Sequence, residues 1–172
     1  MTIGILSDTH GLLRDEAIAA LAGVDHILHA GDVGDPGILA ALAHIAPVTA
    51  IRGNIDTSGP CSQLPSTEAV ELQGRLFYLI HSIHDLDLNP IAAGISVVVS
   101  GHSHKPGIHS REEVLYLNPG SAGPRRFHLP ITLARLTLAP LTLAPLTPDP
   151  LALAPRITVS IIDLACKPAA NF

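Results

Sequence analysis

Cysteine is scarce in this chain, and so are clustered basic residues. Cys61 and Cys166 are the only two cysteines in 172 residues. They stand far apart and form no CxxC pair, which argues against a disulfide framework and predicts reduced thiols in the cytoplasm. Ten lysines and arginines face fifteen acids, for a net charge of −5. Beyond Arg125-Arg126 the basic residues do not cluster, which argues against duplex nucleic acid as a partner. Long apolar runs are missing too. Although 47% of the residues are apolar and mean hydropathy is +0.39, no run of about 18 escapes a charge, a proline or a polar break, so no membrane span is expected. The opening MTIGILSDTH enters a strand-like run directly, without the charged-then-apolar layout of a signal peptide. The length suits one domain over residues 1–172 with a sizeable core. What the chain holds in excess is histidine, ten in all.

Hydrophobic periodicity and turn signals lay out alternating elements. Strands are expected at 3–6, 26–30 and 48–51, with helices at 15–21 and from Pro36 to just before Pro47. Asp35 reads as the N-cap of the second helix and Pro36 as its first residue. A hairpin is expected from 68–72 and 76–80 across Gln73-Gly74, then a short helix at 89–93 and a buried strand at 95–99. Strands at 114–117, 131–138 and 157–164 complete the reading. Helices early and strands late predict an α/β sandwich with mixed sheets.

Polar groups follow each strand. Asp8-Thr9-His10 follows the first, Gly31-Asp32-Val33 the second and Arg52-Gly53-Asn54-Ile55-Asp56 the third. His81-Ser82 and Gly101-His102-Ser103-His104 follow two more. Sites in open α/β sheets form beyond the carboxyl ends of the strands, so Asp8, His10, Asp32, Asn54, His81, His102 and His104 are expected to converge. Extended backbone would put Asp8 with His10, and His102 with His104, on one side. Carboxylates and imidazoles with one amide and no thiolate suit Mn, Fe, Zn, Ni or Co better than Ca or Mg. Seven ligands are too many for one such ion. Two divalent ions sharing a carboxylate are expected, with Asp32 as the bridge.

DTH at 8–10, GDV at 31–33, GNID at 53–56, His81 and GHSH at 101–104 resemble, in order, the motifs of the calcineurin-like metallophosphoesterases. Within that family the chain looks like the small bacterial and archaeal phosphodiesterases of the YfcE type, over about residues 1–138 and 157–164. The resemblance implies a four-layer α/β/β/α sandwich with a dinuclear centre, Mn being the first choice of metal. It implies that Asp8, His10, Asp32 and His104 hold one ion, and that Asp32, Asn54, His81 and His102 hold the other. Small phosphodiesters would be hydrolysed by hydroxide held on the metals. The alternative is a non-catalytic scaffold, like the retromer subunit of the same fold, keeping a structural metal site.

Two positions depart from the family pattern. Many relatives carry a leaving-group His where this chain has Ile55, and Gly is usual where it has Ser82. Lack of that acid favours good leaving groups and tilts the expectation towards diesters. Among further candidates, Asp56 would orient a site imidazole and Arg52 would compensate charge. His29, His44, His84 and His109 have no motif around them and receive no function.

One segment stands apart. LTLAPLTLAPLTPDPLALAP, residues 136–155, consists of four pentads, each beginning with Leu and ending with Pro. Proline every fifth residue excludes a helix and a central strand, so residues 139–155 read as an insertion in a hairpin. Its leucine edge suits self-association into a homo-oligomer or partner docking; a repeat-slippage insertion without a role fits as well.

Overall fold

The computed structural model describes residues 1–139 and 157–165. Two five-stranded mixed sheets make up most of it. In the first, of order β10-β9-β1-β2-β3, β1 (Thr2–Leu6), β2 (His26–His29), β3 (Val48–Ala50) and the edge strand β10 (Ile157–Asp163) run in one direction, and β9 (Thr132–Leu138) runs against them between β10 and β1. The second sheet has the order β4-β5-β6-β8-β7, from β4 (Thr67–Leu72), β5 (Arg75–Ile80), β6 (Ile95–Val99), β7 (Gly107–Arg111) and β8 (Val114–Asn118). There β5, β6 and β8 are parallel, while β4 and β7 lie antiparallel at the edges. Sequence reading does not anticipate β7, whose GIHSR is half-buried to exposed and carries no apolar alternation.

Period-two alternation explains the layers. Ile3 and Ile5 of β1 point to one face and meet Phe77, Leu79, Val97 and Val99 of the second sheet, forming a dry core between the sheets. The outer face of the first sheet, with Ile27 and Leu133, is covered by α1 (Asp15–Ala20) and α2 (Pro36–Ala43) through Ala17, Leu21, Ile38 and Leu42. In the second sheet β6 places Val97 and Val99 in the core between the sheets and Ile95 and Val98 in the cluster on the opposite face, which is why ISVVV is apolar almost throughout. The α2 N-terminus is built as its sequence implies: Gly37 N donates to Asp35 Oδ1 at 2.8 Å, with Pro36 in the first turn.

The fourth layer of the sandwich is thin. Val98, Ile80 and Val114 on the outer face of the second sheet pack against Leu86, Leu88 and Tyr116. The segment between β5 and β6 holds a 3-10 turn at Ile83–Asp85. Residues 89–93, expected to be helical, form hydrogen-bonded turns instead, with Ala93 N donating to Asn89 O and Gly94 N to Ile91 O. Gly94, at φ 71°, ends the segment before a helix can propagate.

Leu138 is paired with Ile157, so the flanks of the pentads are neighbouring antiparallel strands. The expected insertion at 139–155 lies outside the described residues apart from Ala139, and Cys166 also lies outside them; Cys61 is a buried free thiol. Among the described residues no helix is long and apolar enough to cross a membrane.

Candidate metal centre

Strands β1, β2 and β3 of one sheet and β5 and β6 of the other end at one rim, and the loops beyond them carry all seven expected ligands. The loops are not extended, so the same-side argument for Asp8/His10 and His102/His104 fails. Asp8, His10, Asp32, His102 and His104 all have positive φ, between 47° and 64°. Among the described residues, five of the eight non-glycine residues in that conformation are thus candidate ligands. Left-handed backbone costs such residues roughly 1–2 kcal/mol each, and strain of this kind concentrates where function demands a side-chain direction. Two glycines let the loops interlock. A Cβ at Gly101 would overlap Ser7 Oγ, and one at Gly53 would overlap the Asp32 carboxylate.

Two groups of donors result. In the first, His10 Nε2 and His104 Nε2 are 3.2 Å apart, and His104 Nε2 is 3.3 Å from Asp8 Oδ1. Asp8 Oδ2 accepts from His102 N at 3.1 Å, but Asp8 Oδ1 is fully buried with no hydrogen-bond partner among the described residues. Burial pushes the Asp8 carboxyl up to about 6, against the lowering influence of Ser7 and His81. Burial, then the Arg126 guanidinium and His10, push His104 down to about 4. His10 is lowered mainly by burial. In the second group, Asn54 Oδ1 lies 3.0 Å from both His81 Nε2 and His102 Nδ1. His81 Nδ1 donates to Ala30 O at 2.8 Å, which fixes the ring and aims Nε2 at the site. Burial works against the charged form of His81, but hydrogen bonds to Asp32 and Ala30 outweigh it and raise its pKa. Hydrogen bonds from His81 and from Ile55 N likewise overcome burial at Asp32 and lower it.

Asp32 stands between the groups. Its Oδ2 is 3.7 Å from His10 Nε2 and its Oδ1 is 3.4 Å from His81 Nε2. Separations of 3.2–3.4 Å between buried donors match the edges of a polyhedron whose ligands lie about 2.0–2.1 Å from one ion. The unpartnered Asp8 oxygen, turned towards two imidazole nitrogens, is the arrangement a cation completes. The residues therefore fit divalent metal.

Other residues serve differently from their sequence readings. Asp56 orients no imidazole. Its carboxylate accepts from Val33 N, Gly34 N and Gly53 N at 2.8–3.0 Å, tying the loop after β2 to the loop after β3. Three inward-facing amides need an acceptor, and a buried carboxylate satisfies them all. Arg52 is exposed and lines a cavity beside Asn54 and His81. His29 has no sequence signal yet is fully buried. It accepts from Gly31 N at Nδ1, so its Nε2–H donates to Thr9 Oγ1 at 3.0 Å. It thereby braces the first two ligand loops as a neutral ring, held by burial at about 4. Asn118, the last residue of β8, and Ser121, in the turn that follows, are further finds. Asn118 Nδ2 donates to Gly101 O at 2.7 Å, and Ser121 Oγ to Asp8 O at 2.9 Å. Their only sequence signal is a turn tetrad, NPGS, directly after a strand. Arg126 Nη2 lies 3.5 Å from His10 Nε2 at the mouth, and nothing around Arg125-Arg126 in the sequence points there.

Comparison with known proteins agrees with this geometry. Residues 1–140 match the family model described as "Calcineurin-like phosphoesterase superfamily domain". A "Probable metallophosphoesterase" of Methanothermobacter thermautotrophicus is 34% identical, covering 70% of this chain and 77% of the relative. Among solved structures, the phosphoesterase YfcE from E. coli superposes with TM-score 0.62 at 25% identity, covering 78% of this chain and 87% of its own. Vacuolar Protein Sorting 29 from Cryptosporidium parvum superposes with TM-score 0.70 at 17% identity over 94% and 97%, a likeness of fold alone. Motifs, donor geometry and the match over residues 1–140 meet in one conclusion: this chain belongs to the calcineurin-like phosphoesterase superfamily.

Proposed function

We propose that the protein is a phosphodiesterase that uses two divalent ions, Mn²⁺ first among them, to hydrolyse small phosphodiesters in the cytoplasm. One observation carries the reading: the two oxygens of Asp32 face different donor groups, His10 on one side and His81 on the other. In such a centre Asp8, His10, Asp32 and His104 would hold one ion, and Asp32, Asn54, His81 and His102 the other. Bound divalent ions supply Lewis acidity and lower the pKa of water to near neutrality.

The chain's own groups do the rest. Arg126 reaches over His10 and offers guanidinium donors to a phosphate oxygen. Ile55 anchors Asp32 through its backbone N–H at 3.0 Å, while its side chain, 41% exposed, holds no proton for a leaving group. Departing oxygens must therefore be weakly basic or take their proton from solvent. A cavity opens beside Asn54 and His81, with room for a substituent of the ester.

A second reading has one observation in its favour. The fold is shared with Vacuolar Protein Sorting 29 over 94% of this chain, which leaves a non-catalytic scaffold with a structural metal site as the alternative. Elemental analysis followed by bis-p-nitrophenyl phosphate hydrolysis with added Mn²⁺ separates the two. About two ions per chain with metal-dependent turnover is the expected result. Loaded protein without turnover on this ester or on p-nitrophenyl monoester would favour the scaffold.

A further inference from the structure

Beside the candidate centre the surface sinks into a cavity of about 450 Å³, whose wall includes Asn54 and His81 themselves. Its size falls within the range of small-molecule sites, about 300–1,000 Å³. The remaining lining comes from three places. Arg52 belongs to the loop after β3, Thr67 and Tyr78 to β4 and β5, and Ser82, Asp85 and Asp87 to the segment after β5.

The chemistry of this wall is selective. A second phosphate would meet two carboxylates against one guanidinium. A hydrocarbon would strip water from charged and hydroxyl groups and repay it with little beyond Ile80 and the Tyr78 ring. Adjacent hydroxyl groups satisfy both signs at once, donating to Asp85 or Asp87 and accepting from Arg52. We propose that this cavity is a subsite for one alcohol substituent of the phosphoester, and that the substituent carries a vicinal diol, as ribose and glycerol do. The proposal rests on the phosphodiesterase reading for its phosphate position. It goes further in naming the substrate class.

Binding can be tested apart from turnover, because the chain has no Trp and only two Tyr. Tyr116→Phe leaves Tyr78, on the cavity wall, as the sole tyrosine, whose emission is excited selectively over Phe at longer wavelength. The Mn²⁺-loaded protein is titrated with glycerol 3-phosphate against propyl phosphate, and with ribose 5-phosphate against 2-deoxyribose 5-phosphate. The diol member of at least one pair should bind about tenfold tighter, the scale of one or two charge-assisted hydrogen bonds. Whichever pair discriminates identifies the source. D85A/D87A, at two exposed positions, should bring the ratio to about one. Equal affinities within both pairs, no response of Tyr78, or a ratio that survives in D85A/D87A would overturn the subsite. Parallel assays on bis-p-nitrophenyl phosphate keep the two readings separate. Diol preference without hydrolysis would keep the subsite and sink the diesterase, and hydrolysis without preference would do the reverse.

Discussion

The two halves of the candidate centre are built on opposite electrostatic terms. The half formed by Asp8, His10 and His104 is dry. Burial pushes every member away from its charged form, and one carboxylate oxygen is left without a partner. The half formed by Asn54, His81 and His102 is wetter. His102 and Asn54 are exposed, and His81 keeps a raised pKa through oxygens already beside it. Desolvated donors gain most from a cation, whereas the wetter half already neutralises itself in part with a proton. Similar residue types thus form a preorganised, costly pocket on one side and a proton-exchanging one on the other.

Asp32 is where the comparison is easiest to break, because it belongs to both halves. Asp32→Asn should empty both positions and lower kcat/KM on bis-p-nitrophenyl phosphate by about 10³-fold or more, the scale of several kcal/mol of lost metal catalysis. Wild-type turnover at equal metal content would show that the halves do not share a bridge.

Acid should separate the halves. His81 Nε2 faces two acceptor oxygens, and its raised pKa lets a proton compete with an ion there from above the ordinary value of 6.5 downwards. His104, held at about 4, remains neutral over that range; the dry half meets proton competition through Asp8 only as pH falls to about 6. Metal content measured after equilibration at descending pH should therefore fall in two steps, the His81 side first. A single step would show that the two halves titrate together.

Truncating one imidazole on each side sharpens the same contrast. His104→Ala leaves the buried Asp8 carboxylate facing one fewer donor, whereas His102→Ala opens an already exposed edge. Ion affinity read by competition with a chelating dye should fall at least about tenfold more in the first variant, since a ligand lost beside a buried, unpartnered carboxylate oxygen is harder for solvent to replace than one lost at an exposed edge.

The smallest effect belongs to the pentads. Leu138 faces Ile157 across the ladder, so an Asn-Gly loop replacing residues 139–156 would close a two-residue hairpin there. Metal content, hydrolysis and cooperative unfolding should be unchanged, with oligomeric state by light scattering the only property free to move. Loss of metal would place the pentads within reach of the centre.

Legibility differed between strands and loops for physical reasons. Apolar runs such as ISVVV and LFYLI disclose strands because burial on one or both faces constrains every residue in them. β7 was hidden because an exposed edge strand needs only backbone pairing, which GIHSR can supply without any apolar pattern. The candidate ligands could be picked out because carboxylate, amide and imidazole recur after strand after strand. Their supports could not. His29 resembles any histidine in an apolar run, and Asp56 satisfies amides that become neighbours only after the chain folds.

By itself, then, the sequence determined which residue types stand at the strand ends, and with them the family and the class of chemistry. Tertiary structure alone decided that His29 braces two ligand loops, that Asp56 ties backbone amides and that Arg126 overhangs His10. The reason is geometric. Residue type and spacing constrain local backbone and burial, whereas ligand direction here depends on left-handed turns held by contacts across up to 113 positions of chain, as between Ser121 and Asp8. No local pattern encodes the far end of such a contact.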